Sequence, residues 1–124
     1  MDWLGATVSA VEGAMRFRVA RQAVLAANVA NADTPGYRSA ELAANDGPAK
    51  VAAPRRTHAR HLGGAGEAGW QVVAQGGAAR PDGNDVDLDR ELVAVSRNAG
   101  AFREQAEVLS RLFALRQLAL GRGR

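Results

Sequence analysis

The sequence predicts a mainly α fold: an antiparallel coiled-coil hairpin of long N- and C-terminal helices, with a flexible Gly/Ala-rich insert that holds a short β element. Three observations predict it. Apolar residues recur at alternating spacings of three and four at both ends of the 124-residue chain, a heptad pattern rather than a strand pattern. Between them lies a stretch with too few bulky side chains to close a core. Finally, 27 of the apolar residues are alanine and only 5% of the chain is aromatic, so a bulky enzyme-like core is excluded.

The first helix spans residues 3–32. Its seam runs Leu4, Val8, Val11, Met15, then Arg18 and Gln22, then Leu25 and Val29. Ala20, Ala23, Ala26, Ala27 and Ala30 keep helix propensity high and permit close approach of a second helix. The stop is stepwise. Asn31-Ala32-Asp33-Thr34-Pro35-Gly36 leaves helical space because Pro35 biases Thr34 away from the α region and Gly36 is free to take positive φ.

The insert, residues 39–86, holds twelve Ala and eleven Gly or Pro among its 48 positions. Leu42, Val51, Leu62, Trp70, Val72, Val73 and Val86 are its bulky apolar residues, too few to offset the entropy of ordering the whole segment. Trp70-Gln71-Val72-Val73 is the one strand candidate. The second helix covers 87–120. Asp87 is its candidate N-cap, and Asp89 and Glu91 put negative charge in the first turn. Its heptad runs Leu88, Leu92, Val95, Ala99, Phe102, Ala106, Leu109, Phe113, Arg116, Leu120, with Leu112, Leu115 and Leu118 as a second stripe. The chain thus divides into 1–38, 39–86 and 87–124, the first and last together forming one helical domain.

Two helices leave one flank of each seam open, and exposed apolar flanks mark interfaces. Two architectures follow: an assembly subunit whose termini finish folding against neighbours, or a small three- or four-helix globule with extra helices in the insert. The net charge of +3 comes entirely from residues 35–81, and it is sparser than a nucleic-acid face. With no cysteine, disulfides and thiolate zinc sites are excluded. The N-terminal residues carry neither the basic n-region nor the apolar h-region of a secretory signal, and no apolar run is long enough to cross a bilayer.

Candidate chemistry is thin. Asp82-Gly83-Asn84-Asp85-Val86-Asp87-Leu88-Asp89-Arg90-Glu91 suggests a calcium loop, but both EF-hand registers lack the sixth-position Gly and the twelfth-position Glu. A turn leading into an acidic helix N-terminus is the better reading. His58 and His61 sit among Arg55, Arg56 and Arg60, a cationic stretch that repels metal ions and lacks the interleaved aromatics of a nucleic-acid site. A solvated loop accounts for it. No nucleophile elbow or phosphate loop is present, so no catalytic, cofactor or metal residue is assigned.

One stretch is more specific than a helix stop. Leu25-Ala26-Ala27-Asn28-Val29-Ala30-Asn31-Ala32-Asp33-Thr34-Pro35-Gly36-Tyr37-Arg38 closely resembles the N-terminal signature of flagellar rod, hook and hook-associated proteins. The acidic segment 82–91 with its following helix is a second match, and with the short chain it points within that family to the proximal rod, B-type rather than C-type. The resemblance implies a structural subunit that polymerises through its terminal helices into part of the drive shaft of the flagellar basal body. It implies export by the flagellar type III apparatus without a cleaved signal. The implied partners are copies of itself, FlgC-like rod subunits, the FliE adaptor and the MS ring, with neither nucleic acid nor membrane insertion. Asn28, Asn31, Thr34, Pro35, Gly36 and Tyr37 carry the signature onto this chain, as turn and interface residues. Arg18 and Arg116 interrupt the two seams, which calls for a carboxylate from a neighbouring subunit. A cytoplasmic helical-hairpin adaptor or chaperone-like protein is the alternative reading.

Overall fold

The computed structural model describes residues 3–44 and 69–121. Two helices dominate: α1, Trp3–Ala30, and α2, Leu88–Gly121, of 28 and 34 residues. Between them lie strands β1, Ala40–Ala44, and β2, Trp70–Ala74, paired antiparallel with Ala40 opposite Ala74, Leu42 opposite Val72 and Ala44 opposite Trp70. The helices pack against each other as an antiparallel hairpin, and the two-stranded sheet rests on α1. The edge of the Phe17 ring meets the Trp70 ring at 5.9 Å between centroids, which pins the sheet to the helix.

Both helices end where the residues dictate. Asp87 caps α2, its Oδ1 accepting the Arg90 amide at 3.2 Å. The Asn31 side-chain amide turns back to the Ala27 carbonyl at 2.8 Å, adding a second donor to the carbonyl that already accepts the Asn31 backbone amide at 3.1 Å. The strand at Trp70 forms as its β-branched and aromatic residues suggest. Its partner β1, Ala-Glu-Leu-Ala-Ala, has weak strand propensity and is held by tertiary bonds instead.

The expected flexible insert is therefore partly structured. Residues 39–44 and 69–86 supply both strands and a loop buried at Asn84, Asp85 and Val86, whereas 45–68, including Arg55, Arg56, His58, Arg60 and His61, lie outside the described residues. Among the described residues no helix is long and apolar enough to cross a membrane.

The interior is unusual in composition. Among the described residues, Val8, Leu25, Ala32, Leu42 and Val86 are the buried apolar ones, and the fully buried side chains include Glu91, Asn28, Asn84 and Asn98 beside Leu25. These polar groups set the rotation of α2. Asn28 meets Glu91 and Gln22 meets Asn98 across the hairpin. The line Glu91–Asn98–Gln105–Leu112, at strict seven-residue spacing, therefore faces α1. The apolar heptad read from the sequence sits one residue round the helix. Val95, Phe102 and Leu109 are half-buried on its inner edge, but Leu88, Leu92, Phe113 and Leu120 are 44, 48, 41 and 72% exposed. On α1 the seam fares better: Val8 and Leu25 are buried and Leu4, Val11, Met15 and Val29 half-buried.

Candidate functional site

Among the described residues, a dense set of hydrogen bonds joins the end of α1 to the start of α2. Asn28, on the last turns of α1, is fully buried. Its Nδ2 donates to the Ala40 carbonyl at 2.7 Å and to Glu91 Oε2 at 3.1 Å. Its Oδ1 accepts the Ala40 amide at 3.0 Å and the Tyr37 hydroxyl at 3.1 Å. A carboxamide has two donors and two acceptor positions, so Asn28 is completely used. One side chain thereby ties together α1, β1, the exit turn and α2.

One turn later, Asn31 shapes the exit. Its Oδ1 accepts the Thr34 hydroxyl at 3.1 Å, and its carbonyl accepts the Thr34 amide at 3.0 Å. Pro35 is exposed, and Gly36 follows at φ 73°, a left-handed conformation that favours glycine. The Gly36 amide donates to the Asp82 carbonyl at 2.8 Å, bringing the two signature segments into contact. Gly83, at φ 83°, packs against Gly36 so closely that a Cβ would lie 3.3 Å from the Gly36 Cα.

The loop 80–86 reads this turn from the other side. Asn84, fully buried, donates through Nδ2 to the Asn31 carbonyl at 2.9 Å and the Thr34 carbonyl at 2.8 Å. Its Oδ1 accepts the Val86 amide at 2.8 Å, and its own amide reaches Asp82 Oδ1 at 3.0 Å. Arg80 adds a second clamp, donating to the Val86 carbonyl within its own loop and to the Ala32 carbonyl just past the C-terminal end of α1, where a cation suits the helix dipole. Asp85 Oδ1 accepts the Ser39 amide at 2.5 Å, and its Oδ2 lies 3.7 Å from Arg38 Nε.

These carboxylates are acidified by their surroundings. Burial alone would raise the Asp85 pKa, but the amide and hydroxyl of Ser39, the Gly77 amide and the Arg38 charge outweigh it and hold the group below the ordinary aspartate value. Glu41 behaves likewise. Burial pushes it up, while hydrogen bonds from Arg21 and the Leu42 amide, with the charges of Arg21 and Arg90, bring it below the ordinary glutamate value. Arg21 meets Glu41 in a bidentate pair, both contacts 2.9 Å, and that bond raises the Arg21 pKa against the opposing effect of burial. Burial also raises the Tyr37 phenol, helped by the negative charges of Glu91 and Asp85.

The structure thus brings Asn28, Asn31, Thr34, Gly36 and Tyr37 into one bonded knot, with Pro35 on its outer surface. Sequence reasoning missed the other half of it: Ser39, Arg80, Asn84, Asp85 and Glu91. Asp82, Asp85 and Asp87 each accept a backbone amide, so the acidic run serves turn and cap geometry. Among the described residues no group of three or more His, Asp or Glu side chains is placed to hold a metal ion. A readable signal for Glu91 did exist: Glu91, Asn98 and Gln105 repeat every seven residues, the mark of a polar layer within a helix pair.

Comparison with known proteins agrees with this geometry. Residues 9–38, which include Asn28 and the exit turn, match the family model described as flagella basal body rod protein. The flagellar basal body rod protein FlgB of Salmonella typhimurium is 30% identical over 88% of each chain. The Escherichia coli K12 protein of that name is 29% identical over 89% of each chain, and that of Bacillus subtilis 26% identical over 79% of this chain and 80% of its own. The chain belongs to the FlgB family of flagellar basal body rod proteins, which are structural subunits and not enzymes.

Proposed function

We propose that this rod subunit occupies the proximal part of the rod and polymerises there through its two terminal helices, forming part of the shaft that carries torque. The observation that carries this reading is the apolar surface the single chain leaves in water. Leu115, Leu118 and Leu120 are 53, 67 and 72% exposed near the end of α2, and Trp3 is 67% exposed at the start of α1. Burying a large aliphatic side chain contributes about 1.5–3 kcal/mol, so covering several of them drives association strongly.

The antiparallel register supports a division of labour. With Asn28 opposite Glu91, Trp3 comes level with about residue 116, leaving the last turn of α2 beyond α1. The knot fixes one end of the hairpin; the other end presents apolar side chains to neighbours. In this reading Thr34, Pro35 and Gly36, all exposed, form part of the contact surface beside the knot. The neighbours are further copies of the chain, FlgC-like subunits, the FliE adaptor and the MS ring, reached after type III export without a cleaved signal. Locating a tagged chain in purified basal bodies tests this. Recovery with the proximal rod, and loss of rods and motility on deletion, is the expected result. A chain that stays in the cytoplasm while rods assemble without it overturns the proposal in favour of an adaptor.

A further inference from the structure

Among the described residues, three buried polar atoms inside the hairpin have no hydrogen-bond partner: Arg18 Nε, Asn98 Oδ1 and Gln105 Oε1. Each is in a region where such an orphan costs stability. Asn98 is only 1% exposed, and its Nδ2 is already used by the Arg18 carbonyl at 2.8 Å and Gln22 Oε1 at 2.9 Å. Arg18 and Asn98 line a groove of about 480 Å³ whose remaining wall includes Ala23, Ala26, Ala99 and Arg103. Gln105 lines a second groove of about 430 Å³, with Ala10, Ala14, Glu104 and Val108.

The two grooves are on opposite flanks of the hairpin. Ala14 and Ala23 are nine residues apart, as are Ala99 and Val108, and nine steps of about 100° amount to half a turn. Their charges are complementary. Arg18 and Arg103 line the first groove without a carboxylate, and Glu104 lines the second. Each lining also combines small alanines with an exposed valine, Val19 at 60% and Val108 at 46%.

We propose that these grooves are the two halves of one contact between copies of this chain, the Arg18–Arg103 flank of one copy receiving the Glu104–Val108 flank of the next. This rests on the rod-subunit reading and says which faces meet. The contact sets Glu104 of one copy against the guanidinium groups of Arg18 and Arg103 of the next. Pairing like with like would set Arg18 and Arg103 against the same two residues of the other copy, so the two-fold alternative is repulsive. A contact between unlike faces repeats from copy to copy. The second groove also lies nearer the Trp3 end of the hairpin, so parallel copies are staggered and the repeat climbs as a helix.

The chain has no cysteine, so introduced thiols report cleanly. Val19→Cys and Val108→Cys are produced separately and together in motile cells, basal bodies are isolated, and a short bis-maleimide is added. The expected result is a homodimer band only when both variants are present. Glu104→Arg in the Val108→Cys copy lowers that band at least about fivefold, and Arg103→Glu in the Val19→Cys copy restores it. Retained motility of the single-cysteine strains shows that they fold. Three results overturn the contact: a dimer from either variant alone, no dimer from the mixture in basal bodies that contain the chain, or linkage only to a different protein. Absence of the chain from basal bodies instead overturns the rod reading, and the contact falls with it.

Discussion

Asn28→Asp is the sharpest test of the knot, because it changes almost no volume. The two acceptor bonds, from the Ala40 amide and the Tyr37 hydroxyl, survive. Both donors disappear. The Ala40 carbonyl and Glu91 Oε2, formerly 2.7 and 3.1 Å from Nδ2, lose that partner, the first in a part-buried and the second in a fully buried place. An unsatisfied buried group costs about 1–3 kcal/mol, with a carboxylate near the upper end, so the two losses sum to about 4 kcal/mol. Two carboxyl groups at hydrogen-bond distance add repulsion that a shared proton relieves. Against a stability of about 5–15 kcal/mol for an ordinary domain, this is a large fraction. At about 4 °C per kcal/mol for a chain of this length, the melting temperature falls by about 15 °C. Thermal unfolding of the purified full chain at neutral pH, followed by far-UV circular dichroism, measures it. Adding Glu91→Gln restores a donor and recovers part of the loss, as does lowering the pH. A variant melting within about 3 °C of the parent would refute the claim that the Asn28 amide holds the junction.

Three further outcomes follow from the same geometry. Gly83→Ala forces an L side chain into φ 83° and against Gly36, costing about 2 kcal/mol, whereas Gly100→Ala, with open space around its Cβ in α2, gains about 0.5–1 kcal/mol; urea unfolding separates the two signs. Asn84→Ala strips one donor each from the Asn31 and Thr34 carbonyls, which keep the Thr34 and Tyr37 amides, and orphans the buried Val86 amide; it costs about 2 kcal/mol, read in the same titration. Stability also depends on pH at both extremes. Asp85 and Glu41 are more acidic folded than unfolded, so their contribution is complete above the ordinary carboxylate range near pH 4 and is lost as the pH falls through their lower folded values. Tyr37 is less acidic folded, so its contribution is complete below about pH 10 and is lost as the pH climbs through its raised value; a melting curve against pH measures both limbs, and Tyr37→Phe flattens the alkaline one.

Local rules made the helices legible. Asp87 caps α2 as its position suggested, and the exit turn at Pro35-Gly36 carries the positive φ that glycine allows. Trp70 and the valines after it form a strand for reasons visible in the residues. The partner strand was not legible, because Ala40–Ala44 has no strand character of its own; Asn28 grips the amide and carbonyl of Ala40 and places it. Asn84 and Asp85 were hidden for a similar reason. Their role depends on a turn about fifty residues earlier, and no periodicity records such a pairing. The rotation of α2 was misjudged because apolar spacing was weighed above the polar repeat. In a helix with Leu92 and Leu88 on one flank, buried Glu91 and Asn98 decide which side turns inward.

The sheet register has a consequence for evolution of the chain. Ala44 and Trp70 stand opposite each other at the far rung of the two-stranded ladder. Whatever peptide connects them begins and ends at one place on the surface, so its length is almost decoupled from the helices beneath. For a flexible connection, doubling the length costs only about 0.6 kcal/mol of closure entropy. The rung is a port: sequence can be lengthened, trimmed or replaced by a foreign module there, while the clasp and the two helices keep their geometry.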